Sequence, residues 1–176
     1  AASGDDLVAT GHAFRDALDI DFDDKAITLA CVWGFNQDPD GLIALTDGAR
    51  LEVAPETTMG LNGELRVEAG DTADVVADTF NIAPPALLSC RESSRLDIDS
   101  ANAVLYGVTR VHDQATLVFT GDVTFNESSG TTVFPGGTIV ADGDLTFTWQ
   151  SSTTVLAGGR VSANGNLGVE GYLIVD

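Results

Sequence analysis

The sequence predicts an all-β chain, a β-solenoid with a short N-terminal helical or loop cap, and three observations point there. A 22-residue repeat runs through positions 117–169. The apolar residues of each period fall into three short groups. Glycine-rich corners separate those groups. A fixed period is the mark of stacked units that each bury an apolar face against their neighbours. Residues 1–25 read as an N-terminal cap or arm, and 26–176 as a single β-rich domain.

From the N-terminus, Ser3 is a helix-capping residue type, and Asp5 and Asp6 suit a first helical turn, with Leu7, Phe14 and Leu18 on one face. A short helix or loop there would cover the first coil, whose strand edges are otherwise open. The acidic run Asp19 to Asp24 follows, and Ala26 to Trp33 reads as the first strand. Apolar groups then recur at Ile43 with Leu45, Val53, Met59, Leu65 with Val67, Val75 with Val76, Ile82, Leu87 with Leu88, Ile98 and Val104. Near 104–111 the two halves fall out of register by about fourteen residues, which predicts a bulge, loop or altered coil.

Sliding 117–147 onto 139–169 gives 14 identities in 31 positions, among them Gly121/Gly143, Phe125/Phe147, Thr131-Thr132-Val133 on Thr153-Thr154-Val155, and Gly136-Gly137 on Gly158-Gly159. Val123 with Phe125, Val133 with Phe134, and Ile139 with Val140 mark three strands per period. Glycine allows the corners because it tolerates positive φ. The final segment Tyr172-Leu173-Ile174-Val175 is an apolar strand, expected either to pair with another subunit or to fold back inside. A jelly-roll β-sandwich is the rival architecture, since Asp47-Gly48, Asn62-Gly63, Asp142-Gly143 and Asn164-Gly165 also suit hairpin turns. The greater length of the repeat favours the solenoid.

Charge narrows the function. With 8 Lys plus Arg against 27 Asp plus Glu, the net charge is −19, which excludes nucleic-acid binding through a basic surface. Lys25 is the single lysine. Such spread acidity opposes a compact state unless salt screens it, and at 1 M the Debye length falls to ~3 Å. The composition therefore predicts a protein built for high salt, the alternative being an ordinary acidic extracellular or surface protein. No run reaches the length of a membrane helix, so direct membrane insertion is not expected.

Motifs for chemistry are sparse. His12 and His112 are the only histidines, and no GxSxG, P-loop or dinucleotide fingerprint is present. Asp97 and Asp99 share one strand face, a carboxylate pair that solubility explains without catalysis. Asp19, Asp21 and Asp23 begin like an EF-hand loop, but Asp24 stands where glycine is needed and Ala30 where glutamate is needed. They stay as candidate ligands for structural calcium or sodium; no other cofactor is expected. Cys31 and Cys90 sit in apolar contexts as either one disulfide or two buried thiols. Asn126-Glu127-Ser128 is a glycosylation sequon.

The halophilic composition and strands such as Thr131-Thr132-Val133-Phe134-Pro135-Gly136-Gly137 resemble the β-rich coat and surface proteins of viruses that infect salt-loving archaea. That resemblance implies self-assembly into a shell or appendage. Residues 117–175 are also similar to the bactofilins, cytoskeletal β-helices, through their short strands and Gly-Asp and Asn-Gly corners. The expectation is a non-enzymatic structural subunit in a virion or on an extracellular surface, pairing with copies of itself or a related protein through Tyr172 to Val175. Two alternatives stand beside it, a carbohydrate-binding or carbohydrate-cleaving β-helix, with Trp33 and Trp149 as its aromatic platform, and a bactofilin-like polymer.

Overall fold

The computed structural model describes residues 7–11, 20–22, 26–31, 35–36, 42–46, 48–53 and 58–176. These carry 23 short strands and no helix. Every strand pairing is parallel, in three sheets of eight, seven and eight strands, so the chain winds as a three-sided β-solenoid. A sandwich built from hairpins needs antiparallel neighbours, and none occurs among the described strands.

One coil shows why these residues fold this way. Thr116–Phe119 lies in sheet 1, Asp122–Phe125 in sheet 2 and Gly130–Val133 in sheet 3. The next coil repeats them as Thr138–Ala141, Leu145–Phe147 and Ser152–Val155, and the last as Arg160–Ala163, Leu167–Val169 and Tyr172–Val175. Alternation sends two residues per strand inward, as the buried Val123 and Phe125 or Leu145 and Phe147 show. Equivalent residues stack one strand spacing apart, and the Phe125 and Phe147 rings lie 5.0 Å apart, close to parallel.

The corners set the coil length. From Val67 onward the corner from sheet 3 to sheet 1 keeps four residues, and its third is in the left-handed region at Gly70, Ser93, Gln114, Gly136 and Gly158. The corner from sheet 2 to sheet 3 comes in two sizes. Asn126 to Ser129 and Thr148 to Ser151 span four residues, whereas Tyr106-Gly107 and Glu170-Gly171 span two. The short form requires glycine: a Cβ on Gly107 would lie 2.4 Å from the Ala86 carbonyl oxygen.

Of the three forms expected near 104–111, the altered coil is the one found. The ladder runs straight through, and register partners there are 21 residues apart at Leu96↔Leu117 and 20 at Ala103↔Val123, against 22 at Leu117↔Ile139. Short corners, not a bulge, cause the slip. The helix through Leu7 is replaced by the strand Leu7–Gly11, which pairs with Ala26–Cys31, while Ser3, Phe14 and Leu18 fall outside the described residues. Strands thus precede Ala26. Phe134 lies just past the strand Gly130–Val133, whose inward places go to Thr131 and Val133, and in Thr138–Ala141 they go to Ile139 and Ala141.

Candidate functional site

The feature that departs from the regular solenoid is its last described coil. In the coil before it, the inward residues Leu145, Phe147 and Thr153 have no exposure, and Val155 has 3%. One register step on, Leu167 is 50% exposed, Val169 46% and Val175 69%. Val161, Ala163 and Leu173 are partly covered and pack on the core from one side. Together with Val155, Gly159 and Arg160, several of these line a depression of about 230 Å³.

All three sheets end here in unpaired edges, on Arg160–Ala163, Leu167–Val169 and Tyr172–Val175. Backbone groups on such an edge are a template for another strand. Of the four predicted interface residues, Tyr172 and Ile174 face out, while Leu173 and Val175 hold inward register positions, Val175 still 69% exposed. The sequence did not single out Leu167 and Val169, although their place in the repeat marks them. Between Leu145 and Val175 the only charged residues are Arg160 and Glu170, so this end lacks the acidity of the rest.

An Asx column leads to the same end. Asp122 Oδ1 accepts the Asp144 backbone N–H at 2.8 Å, and Asp144 Oδ1 accepts the Asn166 N–H at 2.7 Å and its side-chain amide at 3.1 Å. Those bonds hold the Asp144 carboxyl below its usual 3.8, the backbone donor contributing most. Asn164 donates its side-chain amide alone to Asp142 Oδ1, at 2.9 Å.

The other candidates are structural or lie elsewhere. Asp97 takes two bonds from Arg95, and Asp99 accepts one from Thr120. His112 stacks on Phe134 with ring centres 4.8 Å apart; burial, then Arg91 and Arg110, lower its pKa. Cys90 is a free thiol in the core, pushed up to about 12 by burial; Cys31 lies on the strand Ala26–Cys31, and its side chain falls outside the described residues. Asp21 lies on the strand Ile20–Phe22, with Asp19 and Asp23 outside the described residues. Among the described residues no group of three or more His, Cys, Asp or Glu is placed to hold a metal. Asn126 Oδ1 is held by the Glu127 N–H and the Thr148 hydroxyl. Trp149 is 67% exposed at a corner; Trp33 and His12 fall outside the described residues. No helix among the described residues is long and apolar enough to cross a membrane.

No protein-family model, no curated protein and no solved structure matches the chain.

Proposed function

We propose that the chain is a non-enzymatic structural subunit that self-assembles in a high-salt environment, as part of a virus particle or an extracellular filament. The observation that carries this reading is the half-exposed inward surface of the last coil, bounded by three unpaired parallel edges. A further coil laid on it would bury Leu167, Val169 and Val175 as Leu145, Phe147 and Val155 are buried one step earlier. We assign that coil to a second copy. Among the described residues the sheets begin at Leu7–Gly11, Phe35–Asn36 and Ile20–Phe22, so a head-to-tail neighbour meeting those strands extends all three ladders in the parallel sense already used. Head-to-tail contacts that do not close on themselves build open filaments. The low charge of this end favours contact, and molar salt screens the remaining acidity.

Light scattering after size-exclusion chromatography in molar salt tests the proposal. The expected result is assembly that grows with concentration and is abolished by Leu167→Asp with Ile174→Asp. A monodisperse monomer at high concentration overturns it.

A second reading has its own support. The exposed aromatics Tyr106, Trp149 and Tyr172 all lie along the edge between sheets 2 and 3, as in an aromatic platform for sugars. A glycan array with Trp149→Ala as control discriminates the two, and binding lost in that variant favours the carbohydrate reading.

A further inference from the structure

Inside sheet 3 the core changes character. Thr109, Thr131 and Thr153 occupy successive inward positions in register, between Leu88 below and Leu173 above. None of the three is more than 3% exposed, and none of their hydroxyls has a hydrogen-bond partner. Beside this column, at the inner side of the four-residue corners, are the buried Ser129 and Ser151. Ser129 Oγ is unpartnered as well, while Ser151 Oγ donates to the Thr148 carbonyl at 2.8 Å.

Five buried hydroxyls side by side are not a packing choice, because valine has the shape of threonine and would remove the cost of drying the oxygen. Nor can the threonines satisfy one another directly. Strands in a sheet are about 4.8 Å apart, beyond hydrogen-bond reach. The same spacing suits a bridge: an oxygen ~2.8 Å from each of two hydroxyls spans it with a bent geometry. The two threonine hydroxyls alone give a bridging molecule the minimum of two polar partners that an internal water requires.

We infer that this column is a binding site for a short file of internal water molecules, linking Thr109 to Thr131 and Thr131 to Thr153. The four-residue corners supply the serines, and the two-residue corner at Tyr106-Gly107 ends them on the Leu88 side.

Two measurements on the full chain test it. Magnetic relaxation dispersion of water reads long-lived internal molecules, expected in the native protein and in Thr131→Ser, and absent in the triple variant Thr109→Val, Thr131→Val, Thr153→Val. Thermal unfolding supplies a sign. Thr131→Val alone strands the waters beside it and lowers the midpoint by several degrees, whereas the triple variant dries the column and regains the native midpoint or exceeds it. A rise in midpoint for Thr131→Val, or native dispersion without an internal-water component, overturns the inference. A midpoint that depends on sodium against potassium at equal ionic strength overturns it too, by assigning the column to a cation.

Discussion

Leu145 and Leu167 are the same residue at register-equivalent positions, one coil apart, and truncating each to alanine separates the core from its open end. Leu145 has no exposure, so Leu145→Ala loses the transfer energy and leaves a closed cavity, at a cost of about 3–4 kcal/mol. Leu167 is half exposed. Full burial of a leucine is worth about 1.5–3 kcal/mol, so half of it without a closed cavity gives about 1 kcal/mol for Leu167→Ala. Urea unfolding followed by circular dichroism in molar potassium chloride, at micromolar protein, reads both. At high concentration a second copy would cover Leu167, and the two costs should converge. Equal costs in the dilute monomer would refute the reasoning, because they would mean that Leu167 is already enclosed within one chain.

Glycines separate three mechanisms at three sites. Gly130→Ala meets nothing within 4 Å and should be neutral or stabilising by a few tenths of a kcal/mol, Gly70→Ala pays about 1 kcal/mol for its φ of +83°, and Gly107→Ala costs about 2–3 kcal/mol through its clash with Ala86 and Ile82; thermal melts should rank them in that order. His112 has a folded pKa below its usual 6.5, so as pH falls below 6.5 the unfolded chain binds the proton first and stability declines; His112→Gln should flatten that limb of a pH series of urea midpoints. Asp144 shows the same sign in a more acidic window. Its depressed pKa adds stability above the unfolded value of 3.8 that is lost as pH drops through the folded value, and Asn166→Ala should raise the Asp144 carbon-detected NMR titration midpoint. In a Cys31→Ser background, Cys90 should resist alkylation at pH 8 until denaturant is added, as intact-mass labelling would show, because its thiol titrates at about 12.

The three-sided solenoid was legible where the coil length is constant. From Leu117 onward every register step is 22 residues until the short corner at Glu170-Gly171, so identical residues stack and the period can be read from identities such as Phe125/Phe147. Ahead of it, corners of two and four residues alternate, at Asn62-Gly63, at 83–86 and at Tyr106-Gly107. No single period survives that alternation, although buried and outward positions still alternate along strands such as Ala49–Val53 and Arg95–Asp99. Strand Leu7–Gly11 was missed because Ser3, Asp5 and Asp6 carry local helix-start signals, which pairing with Ala26–Cys31 outweighs. The open end was legible in part. A hydropathy pattern marks Tyr172 to Val175 but cannot say which of them face the core, since that depends on the two-residue corner before them. The threonine column was illegible for a plainer reason: apolar residues define an expected core, and Thr131 and Thr153 counted as polar.

The constancy of the corner from sheet 3 to sheet 1 bears on how such a molecule could change size. Copying residues 117–138 once would insert one strand into each sheet with both terminal surfaces intact. The rod would grow by about 4.8 Å per copy. Its reach is therefore set in uniform increments by gene duplication, like the graduations of a ruler.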